Sequence, residues 1–135
     1  MGETVLVDGG FLVALLSRND QHRKWATAQA ARLNHPWMTC EAALSEAFHL
    51  LGRQGESKLS ALLRRGLALP QFDLEAELGP VLGLMDKYAD VPMSLADACL
   101  VRMTEIQANP VLVTTDRDFL VYRRHSRQII PCLLP

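Results

Sequence analysis

Residues 4–16 read TVLVDGGFLVALL, a short apolar run that ends in an aspartate and leads into a longer apolar run. Its first part, Thr4–Val7, is rich in β-branched residues and predicts a buried first strand. Its second part, residues 11–16, predicts a helix that ends at the polar break Ser17-Arg18-Asn19. A strand followed at once by a helix favours an α/β fold.

The rest of the chain continues this alternation of strands and helices. Further strands are predicted at residues 36–39, 71–73, 111–114 and 129–130. Further helices are predicted at residues 20–33 with Asp20 as cap, 41–51 with a stop at Gly52, 57–67 with Ser57 as cap, 74–88 with a break at Gly79-Pro80, and 94–109. This order predicts a central parallel sheet of four to five strands with helices on both faces.

Length and composition limit the kind of protein this is. The chain has 135 residues, of which 49% are hydrophobic, and it shows no repeat or linker, so one domain over residues 1–135 is expected. A net charge of -1 excludes a protein that coats nucleic acid by bulk positive charge. Local basic groups remain, around Arg123 and around Arg64, and they fit a phosphate-binding face or a solvated surface equally well.

Cysteine usage and hydropathy predict a cytoplasmic protein. The three cysteines, Cys40, Cys99 and Cys132, have no CxxC spacing, which disfavours a zinc site or a disulfide framework. Glu3 and Asp8 interrupt the region where a signal peptide would be basic and then apolar. Because no apolar run approaches the roughly 20 residues that span a bilayer, no membrane association is expected.

Four acidic residues stand where an α/β protein concentrates ligand-binding groups. Asp8 follows the first predicted strand, Asp116 follows the strand at 111–114, Asp97 lies in the first turn of a predicted helix, and Glu46 lies inside another. Open α/β sheets bind ligands beyond the carboxyl ends of their strands. Clustered carboxylates repel one another unless a cation joins them, and oxygen ligands suit Mg²⁺ or Mn²⁺. The pattern favours metal-dependent phosphodiester chemistry.

Helix capping is a competing explanation for most of these acids. Ser94-Leu95-Ala96-Asp97 has the pattern of a capping box, and an acid in a first helical turn is stabilised by the helix dipole. Asp8 and Asp116 are also placed to cap helices. Asp118, a second acid in the same loop as Asp116, is interpreted as a cap or a solvated neighbour rather than a ligand.

Glu46 has no capping explanation because it lies mid-helix. It shares a helix face with Ala43, Ala47 and Leu50, and a carboxylate in an apolar stripe is costly without a partner. A partner arginine is one explanation. Metal ligation or a polar wall of an active site is the preferred one.

Five segments together carry a family resemblance. They are Val5-Leu6-Val7-Asp8 with the apolar run at 11–16, Asp20-Gln21-His22 with Trp25-Ala26, Thr39 with Leu44-Ser45-Glu46-Ala47, Ser94-Leu95-Ala96-Asp97-Ala98, and Val113-Thr114-Thr115-Asp116-Arg117-Asp118-Phe119. In this order and spacing they resemble the PIN domain, specifically the small ribonucleases of the VapC toxin type. The likeness covers nearly the whole chain.

The resemblance implies a three-layer α/β/α fold and an acidic catalytic pocket made by Asp8, Glu46, Asp97 and Asp116. Within it, Asp8, Asp97 and Asp116 would hold Mg²⁺ or Mn²⁺ directly or through water. Such a pocket would cleave RNA, the expected substrate, with one or two metal ions activating the attacking water.

Supporting residues and partners also follow from the resemblance. Thr114 would orient the pocket, with Asp118 as a further supporting residue. The chain departs from the family at Gly9-Gly10, where many members carry Thr or Ser. The family further implies an antitoxin protein whose tail occupies the acidic groove, often through an arginine, and a homodimer.

Two other functions compete with the ribonuclease. Phosphotransfer on Asp8 is disfavoured, because position 10 is Gly where dehalogenase-like enzymes need an acid. Receiver domains need an acid at position 7, which is Val, and a late lysine, whereas no lysine follows Lys87. The remaining alternative is a catalytically weak or inactive module of the same fold that binds RNA or protein.

Overall fold

Strand β1 (Thr4–Val7) is the central strand of a parallel sheet in the computed structural model, which describes residues 2–135. The other strands are β2 (Trp37–Met38), β3 (Ala68–Leu69), β4 (Pro110–Val113), β5 (Arg123–Arg124), β6 (Gln128–Ile129) and β7 (Cys132–Leu133). The sheet order is β3-β2-β1-β4-β7, with every pair parallel, while β5 and β6 form a separate antiparallel hairpin. The predicted parallel sheet is confirmed.

Helices cover both faces of this sheet. They are α1 (Gly9–Leu16), α2 (Arg23–Arg32), α3 (Glu41–Arg64), α4 (Leu78–Lys87) and α5 (Leu95–Ile106), followed by a 3-10 turn at Arg117–Leu120. Alternate residues of a strand face opposite sides of its sheet. Val5 and Val7 therefore share a buried cluster with residues of α1, α2 and α3. Leu6 belongs to a second cluster with residues of α4 and α5. The predicted three-layer α/β/α fold is confirmed.

Two predicted helix caps are wrong. Gly52 interrupts the helix as expected, with φ 67° and ψ -172°, but α3 resumes directly after it. Ser57 therefore lies inside α3, where its hydroxyl donates to the carbonyl of Gln54 at 3.0 Å. Asp20 accepts the N–H of His22 at 2.8 Å in the turn before α2, whose N-cap is His22 without a side-chain cap.

The strand predicted at residues 71–73 is also wrong. The third strand lies earlier because Gly66, at φ 71°, ends the preceding turn and lets the chain pair at once with β2. Trp37 N–H donates to the carbonyl of Leu67, and Thr39 N–H donates to that of Leu69. The last strand of the sheet likewise lies at Cys132–Leu133, whereas Ile129 belongs to the hairpin.

Helix α4 begins at Leu78, so the predicted break at Gly79-Pro80 becomes its start. Pro80 lies in the first turn, where the missing N–H of proline leaves no helical hydrogen bond unmade. Within residues 2–135, no helix combines the length and apolar character needed to cross a membrane.

The backbone at Gly52 gives a first prediction. A side chain at position 52 would meet no atom within 4 Å, but the conformation of this residue is one that glycine alone adopts readily. Gly52→Ala is expected to lower the free energy of unfolding by about 1–3 kcal/mol, measured by urea denaturation. Gly83→Ala, in α4 with equally open surroundings, is the control and should raise it by roughly 0.5–1 kcal/mol. Equal stability of the two variants would contradict the expected strain.

Candidate acidic site

A cavity of about 260 Å³ opens beyond the carboxyl ends of β1 and β4. Its lining includes all four acids singled out in the sequence, namely Asp8, Glu46, Asp97 and Asp116. A larger cavity of about 340 Å³ lies at the other end of α1, beside Arg18 and Lys58. That second cavity is lined by no carboxylate, so of these two cavities only the smaller one offers carboxylate oxygens to a cation.

Asp8 is the buried centre of the acidic cavity, with only 7% of its surface exposed. One carboxylate oxygen caps α1 by accepting the N–H of Phe11 at 2.8 Å, and the other accepts the hydroxyl of Thr114. Burial raises the pKa of Asp8 to about 7 and outweighs these two hydrogen bonds, which lower it. The charges of Asp116 and Asp97 raise the pKa of Asp8 further.

Asp97 closes the predicted capping box of α5 and also lines the cavity. Its Oδ2 accepts the backbone N–H of Ser94 at 3.1 Å, while its own N–H donates to Ser94 Oγ at 3.0 Å. The hydroxyl of Tyr122 lies 3.3 Å from the same Oδ2. Burial raises the pKa of Asp97 against the hydrogen bond from the Ser94 backbone, and the charge of Asp116 adds to the rise. Capping therefore does not exclude a role in the cavity.

Thr114 joins the two acids that follow β1 and β4. Its buried hydroxyl donates to Asp8 Oδ2 and accepts the N–H of Asp116 at 2.9 Å. Asp116 in turn accepts the N–H of Asp118 at 2.9 Å and caps the 3-10 turn. Asp118 itself is not part of the cavity lining.

The surroundings of Glu46 differ from the prediction. Ala43 and Ala47 on this helix face are buried, whereas Glu46 is exposed and Leu50 is 66% exposed, so Glu46 lies at the open border of the apolar stripe and not inside it. In the described part of the chain, the ion pairs all involve Arg102, which excludes a partner arginine for Glu46 there. Partial burial at the cavity wall raises the pKa of Glu46, and the charges of Asp97 and Asp116 raise it further.

Sequence reasoning missed two residues of the site. Tyr122 is fully buried, and its hydroxyl donates to the carbonyl of Pro92 as well as approaching Asp97. Thr115 lines the cavity beside Asp116. Tyr122 lies in no local pattern that marks a function, and Thr115 lies inside the segment of residues 113–119 but is given no role by it. Thr39, noted only for its family likeness, holds the end of β1 by donating to the carbonyl of Val7 at 2.8 Å.

The cavity suits a cation that keeps part of its water shell. Among residues 2–135, no three His, Cys, Asp or Glu side chains converge closely enough to bind one ion together. The cavity is nevertheless lined by four carboxylates and by no cationic side chain. Mg²⁺ is commonly held by one or two carboxylates while it retains several waters. The donor set therefore fits such an ion through direct and water-bridged contacts.

The buried carboxylate predicts a pH dependence of stability without metal. Between the ordinary pKa of 3.8 and about 7, folded Asp8 keeps its proton while unfolded Asp8 has released it. The free energy of unfolding should therefore fall as pH rises through this window. Asp8→Asn, which retains a capping side chain, should reduce this fall to the smaller part that Glu46 and Asp97 contribute, and should be more stable than wild type at pH 8 by on the order of 3 kcal/mol.

Urea denaturation in EDTA at pH 5 and pH 8 measures this difference. Asp90→Asn, which changes an exposed carboxylate, is the matched control and should follow the wild type at both pH values. If wild type and Asp8→Asn showed the same pH dependence of stability, the folded protein would not raise the pKa of Asp8, and the prediction would be wrong.

Comparison with known families agrees with this architecture. The family model described as PIN domain matches residues 5–124, which include all four acids of the cavity. None of the curated proteins matches this sequence. Because the match covers most of the 135 residues, the chain belongs to the PIN domain family.

Proposed function

We propose that this protein is a metal-dependent endoribonuclease that cleaves RNA phosphodiester bonds. PIN domains are generally nucleases. The observation that carries the proposal is the cavity of four carboxylates without a cationic side chain, in which the pKa values of Asp8, Glu46 and Asp97 are all raised. A divalent cation would relieve this repulsion and would also bind the phosphate of the substrate.

Each acid has a proposed role. Asp8, Asp97 and Asp116 would hold Mg²⁺ or Mn²⁺ directly or through water. Such an ion, when bound, activates water and stabilises the charge that develops on the phosphate and the leaving oxygen. Glu46, at the exposed side of the cavity, would accept a hydrogen bond from the attacking water and take up its proton.

The supporting residues act through these acids. The Thr114 hydroxyl fixes one oxygen of Asp8 and the backbone of Asp116, so a single side chain orients both. Asp118 contributes its backbone N–H, which holds one oxygen of Asp116. These contacts would keep the remaining carboxylate oxygens directed toward the cation, as outer partners of metal ligands do.

Cleavage of a mixed RNA pool tests the proposal. Purified protein is expected to cut RNA with Mn²⁺ or Mg²⁺ and not in EDTA, and Asp97→Asn should lower the rate by at least about 100-fold. Ser94→Ala is the matched control, because it breaks the same capping box without removing the acid. It should cost about 1 kcal/mol of stability and leave most of the activity.

Other outcomes would point elsewhere. Cutting in EDTA, or equal cutting by Asp97→Asn, would contradict the metal-dependent site. RNA retained without any cleavage would favour the alternative, a weak or inactive PIN module that binds RNA or protein.

We further propose that this protein is the toxin of a VapBC-type pair and that it acts in the cytoplasm. It rests on the sequence resemblance and on the exposed Leu50 at the acidic cavity, which offers an apolar contact beside the negative charge. An antitoxin tail with an arginine and apolar side chains would complement this surface. A homodimer is proposed with it, because Leu78 and Leu82 on α4 are also exposed large apolar side chains.

Expression in a bacterial host tests the toxin role. Wild type should arrest growth, whereas Asp97→Asn, accumulating to the same level, should not. Normal growth at full expression of an active nuclease would contradict the toxin role but not the nuclease.

Sedimentation equilibrium of the purified Asp97→Asn variant tests the homodimer and should give twice the mass of one chain.

A further inference from the structure

The side chains that line the acidic cavity are nearly all acceptors or apolar groups. Besides the four carboxylates, the lining consists of Gly9, Gly10, Leu50, Ala96, Leu100 and Thr115. While the carboxylates are ionised, Thr115 is the one lining side chain that can donate a hydrogen bond. Every ionised carboxylate repels a phosphate oxygen that enters this cavity, so a side-chain donor would add to the attraction that the proposed cation supplies.

The two neighbouring threonines differ in how their hydroxyls are used. Thr114 already donates to Asp8 and accepts from the N–H of Asp116. Among the side-chain hydrogen bonds of residues 2–135, which include both of those made by the Thr114 hydroxyl, none involves Thr115 Oγ1. The Thr115 hydroxyl is therefore free to bind a ligand.

Gly10 leaves the space in which this hydroxyl lies. A Cβ atom built at position 10 would be 2.6 Å from Thr115 Oγ1, closer than real contacts allow. The same Cβ would be 3.5 and 3.6 Å from the two carboxylate oxygens of Asp8. The hydroxyl of Thr115 thus takes the place, beside the Asp8 carboxylate, that a side chain at position 10 would fill.

We propose that Thr115 is a substrate-contacting residue whose hydroxyl donates a hydrogen bond to a non-bridging oxygen of the scissile RNA phosphate. The inference rests on the proposed ribonuclease function and names a contact within the same cavity. A donor aimed at charge that grows in the transition state commonly contributes about 100-fold or more to the rate.

The steric part of the inference is tested without metal or RNA. Gly10→Ala is expected to lower the melting temperature, because the new methyl group overlaps Thr115 Oγ1 and the Thr115 side chain must turn away from it. In the Thr115→Ala background the same change should raise it slightly, since alanine favours the helix more than glycine does. A Gly10→Ala effect of the same sign and size in both backgrounds would overturn the assigned position of the hydroxyl.

The functional part is tested by kinetics. Thr115→Val keeps the shape and removes the donor, so kcat should fall by about 100-fold or more with a smaller change in KM. Thr115→Ser, which keeps the hydroxyl, should retain most of the rate. The double variant Gly10→Ser/Thr115→Ala returns a hydroxyl from the opposite side and should recover much of what Thr115→Ala loses.

The outcomes separate this contact from the proposed function. Full activity of Thr115→Val beside an active wild type would overturn the role of Thr115 and leave the nuclease intact. A higher Mn²⁺ concentration for half-maximal activity in Thr115→Val would assign the hydroxyl to the metal waters and overturn the phosphate contact. A wild type that cuts no RNA would overturn the proposed function, and the phosphate contact with it.

Discussion

The hydrogen bond between the Thr114 hydroxyl and the Asp8 carboxylate is the contact on which the site depends, because it joins the ends of β1 and β4 across the middle of the sheet. It stabilises the ionised form of Asp8, as does the N–H of Phe11, yet burial outweighs both. Folding therefore holds the Asp8 carboxylate in a fixed position, but its two hydrogen bonds do not offset the cost of burying its negative charge. The cation proposed above would compensate this charge, and the local instability of the metal-free site and its affinity for metal would then have the same cause.

The four acids converge at the carboxyl ends of the central strands, where helices from both faces of the sheet also contribute side chains. Strand order reverses between β1 and β4, and a crevice opens where neighbouring connections leave in opposite directions. Asp8 and Asp116 come from the ends of these strands, while α3 and α5 bring Glu46 and Asp97. The three aspartates each cap a helix or a 3-10 turn. Capping is therefore compatible with ligand binding, since the free N–H groups at helix starts stabilise the negative charges of the same aspartates that line the cavity.

Local patterns in the sequence were sufficient for β1, β4 and the capping box of α5, since each depends on residues close together in the chain. The third strand was misplaced because its position follows from pairing with β2, which local pattern does not encode. The exposure of Glu46 and Leu50 was not predicted, because the orientation of α3 depends on its docking against α1 and on the break at Gly52. Tyr122 was missed because its contact with Asp97 spans 25 residues.

The departure from the family at Gly9-Gly10 has a packing explanation in this chain. A Cβ at position 9 would lie 3.0 Å from the carbonyl oxygen of Ala43 and 3.5 Å from Cβ of Glu46, so α1 and α3 approach almost backbone to backbone there. A larger residue at position 9 would push α3 outward and carry Glu46 away from Asp8. Since protein interiors transmit such displacements instead of absorbing them, the glycine sets the width of the cavity on that side. The absence of a Cβ atom at Gly9 and Gly10 thus helps to bring the four acids into one cavity.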